Sequence, residues 1–297
     1  MVQKLPFQQP LYTYQKSLMG DKLNQEFVKL EGLGNDFVLI DHRYSEDDLT
    51  DTQIKKIGER RVGIGCDQIL ILKAPTKDKA DFLYCVFNSD GSKSEHCGNG
   101  LRCAGAYFKK FHNIKDSVIA QIGMSTHEIK FLKNDLFSVD FDAPVFDPKK
   151  VGLGNIELSD KYITDINNES FEFGAVSLGN PHAVVNVDIP VGEISRVIGP
   201  RFQEKGLFKN GVNVGFFRIV NRSTIELSVW ERGVGYTSAC GTGACAAVAV
   251  GQKWGLLDLK VEVIQEGGVL DVVADKTGGR FKMIGPANYV FTGSIEI

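Results

Sequence analysis

The chain has 297 residues, 43% hydrophobic and 24% charged, the balance of an ordinary soluble protein with enough length for two buried cores. Its formal net charge of -3 supplies no basic field for nucleic acid or an acidic membrane surface. Its six cysteines are too sparse for a secreted disulfide framework and fit a reducing cytoplasm.

Residues 1–25 are rich in Gln, Lys, Tyr and Pro, carry no apolar run fit for a signal or a membrane span, and read as a disordered N-terminal extension. Folded patterning starts at Glu26. Phe27–Leu30 and Phe37–Asp41 alternate as a hairpin around Gly32-Leu-Gly34, and 52–61 has helical spacing ending in Arg60-Arg61. Gln68–Leu72 and Phe82–Phe87 read as buried strands, and Asn88-Ser-Asp-Gly91 as a turn before a helix over Gly98–Phe111. Short strands follow over 117–122, 128–132 and 136–141. Two prolines in Ala143–Pro148 mark an irregular boundary between halves.

The second half repeats the plan. A strand over 173–176, the turn Gly179-Asn-Pro-His182, a strand over 183–187 and a helix near 193–203 precede strands over 214–219 and 224–230. A helix after Cys240 and four strands, over 259–264, 269–274, 279–284 and 290–297, complete it. Strand-rich halves around one small-residue helix specify α+β, with each sheet barrel-like around its helix. The expected domains are 26–142 with the C-terminal strand 287–297, and 143–286.

Two stretches organise this pattern: Cys97-Gly-Asn-Gly-Leu-Arg-Cys103 and Cys240-Gly-Thr-Gly-Ala-Cys245. In each a cysteine precedes a Gly-x-Gly turn and a helix, where free amides and the positive end of the helix dipole favour a thiolate and hold a carboxylate. One copy reads equally well as a buried cysteine beside a tight turn. However, Gly34-Asn35 and Gly179-Asn180, Gly63 and Gly211, and Cys97 and Cys240 recur in order at spacings of 143–148 residues, so the chain holds two homologous halves. A site shared by such halves takes one cysteine from each.

Alone, His182 reads as a core histidine and Glu231-Arg232 as a solvated ion pair, but both sit on loops leading toward the cysteine helices. Asn35, Asn88, Asn180 and Asn213 flank glycine turns, where αL geometry accounts for any one of them and four amides together suit carboxylate and ammonium groups. A metal-binding module is the reading from another class. It is disfavoured because Cys103 and Cys245 fall inside apolar helix faces, whereas structural zinc sites take Cys-x2-4-Cys at turns.

Together Gly32-Leu-Gly-Asn-Asp-Phe37, Gly63-Ile-Gly-Cys-Asp-Gln68, Phe87-Asn-Ser-Asp-Gly-Ser92, Cys97-Gly-Asn-Gly100, Gly179-Asn-Pro-His182, Val212-Asn-Val-Gly215 and Glu231-Arg-Gly233 leading to Ala239–Cys245 resemble the motif set of the diaminopimelate epimerases, in order from Phe27 to the C-terminus. The resemblance implies cofactor-free, metal-free inversion of LL-2,6-diaminopimelate to the meso form, in lysine and peptidoglycan precursor synthesis, by a cytoplasmic homodimer. It makes Cys97 and Cys240 the acid and base pair, with His182 and Glu231 as proton partners. Gly98, Asn99, Gly241 and Thr242 offer amides to the α-carboxylate, and Asn35, Gln68, Asn88, Asn180, Asn213, Glu231 and Arg232 line the substrate site. Lys93 departs from the pattern, standing where the family more often has an acidic residue.

The chemistry agrees. Inversion removes the α-proton on one face and delivers another on the opposite face, which two groups in different protonation states accomplish with little substrate movement. Helix N-termini aimed at the carboxylate stabilise the carbanion. A proline or hydroxyproline racemase is the rival within the isomerases, but its substrate has no distal amino acid for Asn88, Asn180, Asn213 and Arg232 to bind.

Overall fold

In a computed structural model the described residues are 24–297 apart from 46, 95–96 and 276–278, so the expected extension lies, up to residue 23, outside them. The chain divides into two compact units, Met1–Val139 with Pro286–Ile297, and Asp140–Gly285.

In the first unit, β1 (Asn24–Gly32) and β2 (Asn35–His42) pair as an antiparallel hairpin whose turn holds Leu33 and Gly34 at positive φ. Helix α1 (Asp51–Gly58) starts with a Thr50/Gln53 capping box, after which β3 (Gln68–Lys73) returns parallel to β2. Next, β4 (Phe82–Asn88) runs antiparallel to β3 and carries the short β5 (Lys93–Ser94). Helix α2 (Gly98–Phe111) then leads to β6 (Ser117–Ile122), parallel to β4, and to the antiparallel β7 (Ser125–Phe131) and β8 (Leu136–Phe141). The final strand of the chain, Asn288–Glu296, pairs antiparallel with the outer side of β1.

The second unit opens with α3 (Pro148–Val151) and β9 (Tyr162–Ile166), antiparallel to β10 (Glu169–Ser177). From there the connections of the first unit repeat. β10 pairs with β11 (Pro181–Asn186); α4 (Val191–Glu204) leads to β12 (Asn213–Asn221), parallel to β11; and β13 (Thr224–Glu231) carries the short β14 (Gly235–Thr237). Helix α5 (Gly241–Lys253) then precedes β15 (Lys260–Gln265), parallel to β13, and the meander of β16 (Gly268–Ala274) and β17 (Phe281–Pro286). The final strand, β18, stands beside β1 as β9 stands beside β10.

Gly98–Phe108 of α2 and Gly241–Gly251 of α5 are buried without a break, so each helix is covered on every face. Small residues permit this. A methyl group on Gly105 would lie 2.7 Å from Ile129 Cγ2, and one on Gly251 2.4 Å from Leu257 Cδ1. Among the described residues no helix is long and apolar enough to cross a membrane.

Several boundaries differ from expectation. Asn24 and Gln25, expected in the extension, pair with Glu296 and Ile295 in strand. α1 stops at Gly58, short of Arg61, because Glu59 turns to extended geometry and Ile57 O accepts from the Ile64 and Gly65 amides. The segment near Pro148 is not irregular throughout: Asp147 caps a helical turn with Pro148 at its first position, where the missing N–H costs nothing. β9 had no expected counterpart. Five residues alternating in sequence give too short a signal, and the tilted packing of Tyr162 against Phe173 helps to fix it.

Candidate active site

In the first unit Cys97 is the N-cap of α2, in extended geometry at φ −140°, and its sulfur accepts from the Gly100 amide at 3.4 Å. Gly100 is required there, because a Cβ would sit 2.2 Å from Tyr84 Oη, which donates to Cys97 O at 3.1 Å. Asn99 is buried and donates through Nδ2 to Asn35 Oδ1 at 3.4 Å, and Asn35 donates in turn to Asp67 Oδ2 at 2.8 Å. Gln68 and Asn88 face one another across β3 and β4. Gln68 Nε2 donates to Asn88 Oδ1 at 2.9 Å, and Asn88 Nδ2 to Ser92 Oγ at the same distance.

Charge fixes this polar row. Burial opposes ionisation of Asp36, but Arg60 and Lys29 overcome it and hold the carboxyl down at about 2. Arg60 grips Asp36 through both Nη atoms, at 3.0 and 2.7 Å, and reaches Asp67 Oδ1 at 2.8 Å. The loop carrying Asp67 is thus tied to the Asn35 turn.

In the second unit Cys240 is the N-cap of α5, at φ −123° and buried. Its amide donates to Gln265 Oε1 at 2.8 Å, and its sulfur lies 3.7 Å from Thr242 Oγ1 and in hydrogen-bonding contact with Glu231. The expected thiolate is not what this site favours. Burial foremost, and then the Glu231 carboxylate, push the thiol well above its ordinary range, outweighing the Gly243 amide. Cys240 rests as a thiol with a carboxylate base beside it, and Thr237 Oγ1 donates to Glu231 Oε1 at 2.5 Å.

His182 is not in the turn. It lies within β11, fully buried, opposite Val176 and alongside Asn213. Its Nε2 is 3.0 Å from Asn180 Oδ1, while Asn180 Nδ2 donates to Thr242 Oγ1 at 3.4 Å. That places the proton on Nε2 and leaves Nδ1 as a buried acceptor with no partner among the described residues. Burial, then the charge of Arg232, depress its pKa to about 3, so the ring is neutral at ordinary pH.

Asn213 Oδ1 accepts from the Arg232 amide at 2.8 Å, and the half-buried Arg232 donates from Nη1 to Asn210 O at 2.9 Å. The expected residues fall into two sets, one in each unit: Asn35, Gln68, Asn88, Gly98 and Asn99 in the first, where Asn99 of α2 bonds Asn35 and Gln68 bonds Asn88, and Asn180, His182, Asn213, Glu231, Arg232, Gly241 and Thr242 in the second, where Asn180 meets both His182 and Thr242 of α5. Sequence reasoning missed Asp67, Tyr84, Thr237 and Gln265. Asp67 and Thr237 stood inside or beside the motifs; Tyr84 and Gln265 reach the cysteines from strands and had no local signal. Cys103 and Cys245 lie fully buried within the helices, with burial pushing the Cys103 thiol up.

A family model described as diaminopimelate epimerase matches residues 27–137 and 174–290. A diaminopimelate epimerase of Thioalkalivibrio sulfidiphilus is 40% identical over 276 residues, covering 92% of this chain and 99% of the relative. One from Burkholderia vietnamiensis is 41% identical over 287 residues, covering 91% and 98%. The fold is similar to that of a hydroxyproline epimerase from Agrobacterium vitis, solved with bound trans-4-hydroxy-L-proline, at TM-score 0.71 and 11% identity over 92% of this chain and 93% of that one. It is also similar to a PhzF-family phenazine biosynthesis protein of Bacillus anthracis, at TM-score 0.61 and 15% identity over 92% and 99%. With both family segments matched, one around each cysteine helix, the chain belongs to the diaminopimelate epimerase family and is an isomerase of that type.

Proposed function

We propose that this protein inverts one α-carbon of LL-2,6-diaminopimelate to give the meso form, without a cofactor, using Cys97 and Cys240 as the two proton-transfer groups. The observation that carries the reading is the presence, in each of two units of the same topology, of a cysteine as the N-cap of a buried small-residue helix. Each N-terminus presents the first amides of its helix, those of Gly98 and Asn99 and of Gly241 and Thr242, in an arrangement suited to one α-carboxylate.

In this mechanism one thiolate takes the α-proton while the other cysteine, as thiol, delivers a proton to the opposite face. Glu231 receives the Cys240 proton when that group must act as base, and neutral His182, with Nδ1 as acceptor, is the other proton partner. Developing negative charge on the substrate is met by helix amides in a low-dielectric surrounding, a contribution of several kcal/mol by analogy with oxyanion holes. Asn35, Gln68, Asn88, Asn180, Asn213 and Arg232 hold the substrate, with the Arg232 guanidinium suited to a distal carboxylate. The reading carries with it action as a cytoplasmic homodimer in lysine and peptidoglycan precursor synthesis.

Incubation with LL-diaminopimelate in heavy water tests the reading. Meso product should form with deuterium at the inverted α-carbon, and proline should not be racemised. Inversion of proline with no turnover of diaminopimelate would replace this reading by the proline racemase one.

A further inference from the structure

Cys240 and Glu231 must keep a fixed geometry to exchange a proton, and the groups that hold them come from outside the cysteine motif. Gln265, at the end of β15 and 7% exposed, takes the Cys240 amide on Oε1 at 2.8 Å. In the turn that follows, Glu266 accepts from the Tyr236 hydroxyl, and the Gly267 amide donates to Ser238 O at 2.8 Å. The β15–β16 turn thus grips residues 236, 238 and 240 in succession. Between these ties, Thr237 Oγ1 donates to Glu231 Oε1 at 2.5 Å, and β14 lies against β13 with Thr237 opposite Val229 and Gly235 opposite Glu231.

We propose that Thr237 and Gln265 are positioning residues for proton transfer between Cys240 and Glu231, Thr237 by orienting the carboxylate and Gln265 by fixing the backbone from which the thiol projects. The inference rests on the two-cysteine reading of the reaction. The terminal torsion of a glutamate is broad and nearly two-fold, so a carboxylate without a second anchor rotates freely. A hydroxyl donating to Oε1 selects one orientation of the carboxylate that lies beside the thiol. At the other end, an N-cap residue sets where its side chain points through its own φ and ψ, and Gln265 pins Cys240 at φ −123° through the amide. Proton transfer depends steeply on such alignment, and loosening the groups that support a reacting pair ordinarily costs about 10- to 100-fold.

The test compares Thr237→Val, which keeps the shape and removes the hydroxyl, with Thr237→Ser, which keeps the hydroxyl, and with Gln265→Met. For each variant kcat, KM, the melting temperature and the rate of Cys240 alkylation by iodoacetamide at a fixed alkaline pH, mapped by peptide mass spectrometry, are measured. Thr237→Val and Gln265→Met should lower kcat roughly 10- to 100-fold with KM changed by less than about threefold. Both should speed alkylation, because the thiol and the carboxylate that keeps it protonated are no longer held together, the carboxylate having moved in Thr237→Val and the thiol in Gln265→Met, and Thr237→Ser should restore both properties. Wild-type kcat and alkylation in a folded Thr237→Val protein, or a loss of kcat that follows melting temperature and is not recovered by serine, would overturn the proposal. Full activity in Cys240→Ala would instead remove the two-cysteine reading, while the alkylation rates would still report whether Thr237 and Gln265 hold the pair.

Discussion

Cys240 combines a helix N-cap, which favours a thiolate, with burial and a neighbouring carboxylate, which oppose it, and the opposing effects win. The same desolvation acts on His182 in the reverse sense, since for an imidazole the charged form is the protonated one. Its pKa falls from 6.5 in the unfolded chain to about 3, so between these values the unfolded chain binds more protons than the folded one. Stability from keeping His182 neutral is therefore complete above about pH 6.5 and declines as pH falls toward 3, by at most about 1.4 kcal/mol per pH unit. Denaturant unfolding at a series of pH values should show this slope in the native protein, and His182→Gln should remove that component. Asp36 adds a separate loss lower down, between its ordinary 3.8 and about 2, because it too has a depressed pKa and loses its ion pairs on protonation.

At the scale of elements, α2 and α5 work only because they are narrow. Their small residues let strands approach from all sides, which holds each N-cap cysteine on an inflexible support. Gly100 is the tightest point beside Cys97, with Tyr84 Oη and Leu70 Cδ2 lying 2.2 and 2.9 Å from where a methyl group would go. Gly100→Ala must push Tyr84 away and break its bond to Cys97 O. The expected cost is about 1–3 kcal/mol of stability, as in other overpacked cores, together with a fall in kcat. Calorimetry and steady-state kinetics check both, and Tyr84→Phe combined with Gly100→Ala should recover part of the stability by clearing the hydroxyl.

At the scale of the whole molecule, the two units share one order of pairings, and each is completed at its outer edge by one more strand. In the second unit that strand, β9, comes before the repeat in sequence. In the first it is β18, from the far end of the chain. Deleting residues 288–297 should leave β1 without its partner from Asn24 to Glu31 and remove the Phe27–Phe291 ring contact. Hydrogen exchange should then show lost protection in β1 and β2 with protection retained in β10–β13. Equal loss in both sets would mean that the terminal strand stabilises more than its own unit.

By itself the sequence determined the periodic and local features of this protein. The α2 bounds, Gly98–Phe111, follow from a cysteine and glycines at the start and apolar spacing after, and the strand over Phe82–Phe87 follows from an apolar run between turns, since both signals lie within a few residues. The motif residues around both cysteines were legible for the same reason, and their recurrence gave the duplication. Only the tertiary structure decided the rest. Gln265 meets Cys240 across 25 positions, and the stop of α1 at Gly58 is set by Ile57 O accepting from a loop folded back on it. The protonation of Cys240 and His182 likewise depends on how much water the surrounding strands remove, and desolvation is a property of everything packed around a group rather than of its neighbours in the chain.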